Sequence, residues 1–297
     1  TILINPLISC SGRLPIYVLI AGALFGARAG NVIFSIYLIG IAMAILMGQI
    51  FKRTLFKGEI APFVLELPPY RMPTFKGTII HMWERGSIFI KKMGGVILIG
   101  SIIVWALSSF PQSIEYSRDY DAQKSHIQKE YASAIQRADT ERAEVLSAEM
   151  DAKIGEIETL QKREFQEKSL LGRLGKGIAP VLRPLGFDWR AGVALLTGFV
   201  AKEIVVSTFG VLYQVGEEEG EESESLRAAI SKNMTPLIGY AFMIFVLAYT
   251  PCLATVAAIR RETGSWGWTG FSVGYGLALA WILAFCIYQG GMVLGLG

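Results

Sequence analysis

Between Val32 and Ile50 the chain runs 19 residues without one charged side chain. A helix rising about 1.5 Å per residue needs roughly that length to cross about 30 Å of hydrocarbon. Further apolar stretches occupy 14–26, 93–110, 191–213, 237–259 and 271–294. The composition agrees: the 297 residues are 52% hydrophobic, with a mean hydropathy of +0.44, above the usual range for a soluble domain. No alternating ten-residue pattern of the kind a lipid-facing barrel strand needs is sustained. The expected fold class is all-α, a polytopic helical membrane protein of about six crossings.

Charge is concentrated rather than spread. Residues 115–168 hold 9 basic and 13 acidic side chains, 22 of the 53 charges in the chain. Leu146, Met150, Ile154, Ile157 and Leu160 recur there at helical spacing, so the stretch is expected to form one or two helices outside the membrane. It reads as a solvated amphipathic spacer, or as a coiled coil for a partner. Three parts follow: a first membrane part at 1–111, a charged helical excursion at 112–170 and a second membrane part at 171–297. Within the first part, "HMWERG" (81–86) suits the headgroup region, where Trp83 anchors an interfacial half-helix before the chain turns inward. Lys52, Arg53, Lys57, Arg71 and Lys76 share one connection, which the positive-inside rule makes cytoplasmic. Simple alternation then places Arg260 and Arg261 outside, against the same rule.

Four segments break the apolar pattern with proline: 4–15, 61–73, 175–186 and 248–256. Proline removes a donor and frees carbonyls, and irregular backbone at membrane depth persists only where protein or a water-filled cavity satisfies it. Such breaks offer oxygen ligands and helix ends to ions. The first holds Asn5, Pro6, Ser9, Cys10, Ser11 and Arg13. The second holds Glu66, Pro68, Pro69 and Arg71, where Glu66 either faces a passage or pairs with Arg71 at the headgroup boundary. The last holds Thr250, Pro251 and Cys252. Cys286 reads as a small apolar filler.

The sharpest single feature is "FVAKEIVV" (199–206). Lys202 and Glu203 fall near the centre of the apolar stretch 191–213, where each would cost about 2.5–3.5 kcal/mol if it faced lipid. Adjacent residues on a helix point about 100° apart and do not neutralise one another. Each therefore needs a partner on another element, with Glu66 and Arg13 as candidates, or both belong to a purely structural network. Thiol and carboxylate together point to a cation; soft sulfur with hard oxygen suits a borderline divalent ion such as Fe²⁺, without separating it from Mn²⁺, Co²⁺ or Zn²⁺. Neither histidine nor any Cys spacing forms a zinc or disulfide motif. A carrier of an organic solute such as a nucleoside is the rival, although Asn5 is the only Asn or Gln in any break.

"NPLISCSGRLPIYVL", "PFVLELPPYRMPT", "WERGSIFIKKMGGVILIGSIIVW", "PLGFDWRAGVALLTGFVAKEIVVSTFGVLY" and "YTPCLATVAAIRRETGSWGWT" resemble, in order, successive motifs of the ferrous-iron transporter B family. The resemblance implies the Gate-bearing membrane part of a bacterial inner-membrane Fe²⁺ importer. It makes Cys10 and Cys252 the leading metal contacts; Glu66 and Glu203 join them on the physical grounds above. It also implies a cytoplasmic GTPase domain and further helices ahead of the first motif. This chain begins without Met and holds no GxxxxGK[ST] loop, so GTP and Mg²⁺ are expected only through that domain. Membrane lipid, the GTPase domain, small cytoplasmic accessory proteins and self-association are the expected partners, with no nucleic acid. A transporter domain, not an enzyme, is the expectation.

Overall fold

The computed structural model describes residues 2–55, 74–136, 139–213, 222–249 and 252–295, and every regular element among them is helical. Helix α1 (Leu14–Phe25) and helix α2 (Ala29–Thr54) fold back on one another. Gly26 makes the turn possible, because its φ of +51° lies where a side chain is strained. The hairpin brings Tyr17 edge-on to Tyr37 at 6.4 Å between ring centroids, and seats the Leu7 carbonyl against Gly40.

Helix α3 (Phe75–Ser109) is one unbroken helix of 35 residues, the long helix expected over 75–110. Its N-terminal half is exposed, Trp83 at 77%. Helices α4 (Tyr120–Ile135) and α5 (Thr140–Lys168) form the charged excursion. Asp119 caps α4 by accepting from the Ala122 amide at 2.9 Å, and Lys124 donates to Gln161 at 2.7 Å across the pair. Of the apolar row on α5, Leu146, Met150, Ile154 and Ile157 are half-buried and Leu160 is exposed.

Helix α6 (Leu170–Leu182) continues through Pro180 and buries one face: Leu171, Gly172, Gly175, Ala179 and Leu182. The expected break at 175–186 therefore starts later, at a short 3-10 turn over Arg183–Leu185 that Gly186 ends. The stretch 191–213, expected to be one span, is two helices, α7 (Trp189–Val200) and α8 (Ile204–Leu212). Helix α9 (Glu224–Asn233) packs on α1. Helix α10 (Pro236–Ala248) is apolar on every side and is the buried centre of the fold, as such a helix must be. It touches α1, α2 and α12 (Trp266–Val293), and α11 (Leu253–Thr263) precedes α12.

Among the described residues, three stretches are long and apolar enough to cross a membrane: Asn5–Thr54, Pro236–Thr263 and Trp266–Val293. Trp189–Val200 is apolar but only 12 residues long. The break within 191–213 leaves two short helices that must lean on neighbours to satisfy their ends.

Candidate functional site

The N-terminal break consists of two 3-10 turns, Asn5–Leu7 and Ser11–Arg13. Arg13 is 2% exposed and folds back along them. Its Nη1 donates to the Ile8 carbonyl at 3.1 Å and its Nη2 to the Pro6 carbonyl at 2.8 Å. The guanidinium thereby satisfies carbonyls that a proline-interrupted backbone leaves without amide donors. Cys10, Asn5 and Ser11 are exposed, while Pro6 and Ser9 are half-buried.

The second break separates α7 from α8. Ala201 is extended at φ −149°, ψ 126°, and Lys202 and Glu203 follow it. They go to different places: Lys202 is buried at 4% exposure and Glu203 is exposed. The sequence suggested two charges on one continuous helix. The break lets each find its own surroundings, which helical spacing would not. Lys202 Nζ lies 5.4 Å from the Tyr249 ring centroid, a cation–π contact, and has no hydrogen-bond acceptor among the described residues. Thr197 and Thr208 bring their hydroxyls within 3.1 Å across the break. Gly198 leaves no room for a side chain, since a Cβ there would fall 2.6 Å from Val205 Cγ2.

At the third break, the Tyr249 hydroxyl donates to the Leu195 carbonyl at 2.5 Å, tying the end of α10 to α7. Cys252 is the N-cap of α11; its carbonyl accepts from the Thr255 and Val256 amides at 2.8 and 3.0 Å, and its Sγ lies 3.4 Å from Thr255 Oγ1. Helix α3 closes over this junction at Gly100, where a Cβ would meet Val200 Cγ1 at 2.7 Å and Leu253 Cδ2 at 3.1 Å.

The three breaks converge. A Cβ on Gly12 would fall 2.5 Å from Glu203 Oε1, and Arg13, Cys10, Cys252 and Glu203 all lie within electrostatic reach of the Lys202 ammonium. Glu66, Pro68, Pro69, Arg71, Thr250 and Pro251 lie outside the described residues. Among the described residues no three of His, Cys, Asp and Glu form a ready-made metal group. Two thiols and a carboxylate thus lie within electrostatic reach of one buried lysine without forming a ligand cage among the described residues. Gly12, Tyr249, Thr197 and Gly100 belong to this junction and carry no sequence signal of it, because each acts through a partner on a remote helix.

Helices broken within an apolar bundle, with charge and sulfur at the breaks, define a broken-helix membrane domain of the gate type. Residues 90–266 match the Gate family, described as nucleoside recognition, and residues 33–85 match the ferrous iron transport protein B C terminus. The chain belongs to the Gate family, and its likeness to the ferrous-iron transporter B family runs over nearly its whole length. A protein of Porphyromonas gingivalis named as a fusion of Fe(2+) transport protein A and Fe(2+) transporter FeoB is 44% identical over 99% of this chain and 34% of its own length. Fe(2+) transporters FeoB of Methanocaldococcus jannaschii and Helicobacter pylori are 37% and 35% identical over 97% and 89% of the chain. The chain spans 36% and 39% of those two relatives, little more than a third of each. No solved structure matches it.

Proposed function

We propose that this chain is the permeation part of a ferrous-iron importer, with Fe²⁺ passing where the three breaks meet. The reading is supported by Glu203 reaching the N-terminal break at Gly12 and by Cys10 and Cys252 lying within electrostatic reach of the same Lys202. Thiolate and carboxylate together suit a borderline ion, and a cargo that must leave again is better served by few ligands than by a cage. Glu66 is the fourth proposed ligand. Arg13 and Lys202 keep the junction electropositive, so a bare cation is repelled unless sulfur and carboxylate bind it. Asn5, Pro6, Ser9, Ser11, Pro68, Pro69, Arg71, Thr250 and Pro251 shape the breaks.

Passage is regulated or driven by a GTPase domain as in the family, in a bacterial inner membrane, with the α4–α5 pair as an extramembrane part between two membrane parts. The fusion named in the P. gingivalis relative supports a small accessory protein as partner. The test is anaerobic uptake of radiolabelled Fe²⁺ into proteoliposomes holding the full-length transporter. Cys10→Ser, Cys252→Ser and Glu203→Gln are expected to lower uptake at least tenfold at equal protein incorporation; unchanged uptake in all three would remove the junction from the route. Labelled nucleoside offered to the same vesicles tests the rival reading, and its saturable uptake would favour an organic solute.

A further inference from the structure

Beside the α7–α8 break lies a cavity of about 390 Å³, open on one side and walled by α3, α5, α6, α7 and α8. Among the described residues no charged side chain lines it; its walls are more apolar than polar, the polar part coming from Ser108, Ser169, Thr197, Ser207, Thr208 and Gln166. Three of these hydroxyls have their protons engaged within their own helices: Ser108 donates to the Trp105 carbonyl at 2.9 Å, Thr197 to Ala194 at 3.0 Å and Thr208 to Ile204 at 2.8 Å. Thr197 and Thr208 also bond to each other, and Ser169 donates to the Gln166 carbonyl and accepts from the Gly172 amide, which leaves the Ser207 hydroxyl and the Gln166 side-chain amide facing the space. Acyl chains cannot donate to an acceptor, so filling such a space with lipid leaves polar groups unsatisfied, whereas water satisfies them. At about 30 Å³ per molecule the volume holds roughly a dozen waters, more than the roughly six of a hydrated divalent ion.

A second cavity, of about 570 Å³, is also lined by Ser108 and Gln166 and extends along the charged α4–α5 pair past Tyr116, Lys124, Glu158 and Gln161. Ser108 and Gln166 form a wall common to both. We infer that the hydroxyl-lined cavity is a water-filled vestibule carrying a hydrated divalent cation between the α4–α5 side and the α7–α8 break. This rests on the Fe²⁺ reading above and adds where the ion travels hydrated, before or after sulfur binds it. Neutral hydroxyl oxygens stabilise the ion's waters without holding the ion, as a conducting path requires.

The test places a cysteine at Ser207, an exposed lining residue, in the full-length transporter in proteoliposomes. A membrane-impermeant cationic methanethiosulfonate is expected to label Ser207→Cys at least tenfold faster than the parent, and the adduct to lower Fe²⁺ uptake at least fivefold. Ser207→Trp is expected to lower uptake equally without reagent. Labelling only by a lipid-soluble maleimide would make the cavity a lipid-facing fissure and overturn the inference. Labelling with full uptake retained in Ser207→Trp would make it a blind pocket, overturning the route while leaving the Fe²⁺ reading in place. A parent that takes up no Fe²⁺ would overturn both.

Discussion

Glu203 leans on Gly12: an added Cβ at position 12 would stand 2.5 Å from its Oε1 and 3.2 Å from its carboxyl carbon. The contact joins the N-terminal break to the α7–α8 break and sets where that carboxylate points. In Gly12→Ala the obstructing atom is the far end of a flexible side chain, so the carboxylate swings away at a cost of about 1 kcal/mol or less. The expected outcome is near-normal thermal stability with Fe²⁺ uptake reduced about tenfold. Pairing the change with Glu203→Asp, one methylene shorter, is expected to restore part of the uptake. Wild-type uptake by Gly12→Ala would show that the carboxylate's position is immaterial.

Arg13 holds the N-terminal break closed by donating to Pro6 and Ile8. Arg13→Met keeps much of the packing and removes both donors, leaving two carbonyls short of partners at about 1–3 kcal/mol each. A loss of about 2–5 kcal/mol is expected, read as a lower unfolding temperature in detergent. Arg13→Lys reaches at most one of the two carbonyls and should fall between. Unfolding of Arg13→Met at the parent's temperature would mean that other groups support the break.

Lys202 presents the opposite expectation. A buried ammonium without an acceptor among the described residues costs stability, and replacing such a charge by an apolar side chain of similar volume is often neutral or stabilising by about 1–4 kcal/mol. Lys202→Met should therefore unfold no earlier than the parent while admitting cations more freely. That is seen as a faster passive Fe²⁺ or Mn²⁺ leak from loaded proteoliposomes. A clear drop in unfolding temperature, with no leak, would assign Lys202 to structure alone.

The charged excursion carries a pH-dependent latch. Glu164 accepts from Lys168 Nζ at 2.8 Å, from the Tyr120 hydroxyl at 2.7 Å and from the Ser117 amide and hydroxyl at 2.7 and 2.9 Å. The Lys168 ammonium, aided by these hydroxyl and amide donors, holds the carboxyl down from 4.5 to about 2, and the bond to Glu164 pushes the Tyr120 phenol up. A depressed carboxyl favours the folded state fully above its unfolded value, and that contribution disappears as pH falls through about 2. Protection of the Ser117 amide against hydrogen exchange should thus weaken between pH 4.5 and 2. In Glu164→Gln this pH step should be absent; a step that survives would place the titrating group elsewhere.

Much of this molecule is written in local chemistry. Nineteen uncharged residues from Val32 to Ile50 demand a helix in lipid whatever surrounds them, and the polar background of α5 demands water. Pro6 marks an interruption because a missing N–H is a covalent fact. The α7–α8 break was not legible: Ala201, Lys202 and Glu203 include no proline or glycine, and nothing in their own propensities stops a helix there. The chain opens at that point because Lys202 packs over Tyr249 while Glu203 reaches Gly12. Both contacts are with residues far along the chain. Periodicity and proline act over a few residues, so helices and most interruptions can be read one segment at a time. Which interruptions face each other is set by how α1, α7 and α10 pack, and contacts between distant positions leave no trace in the spacing of either one.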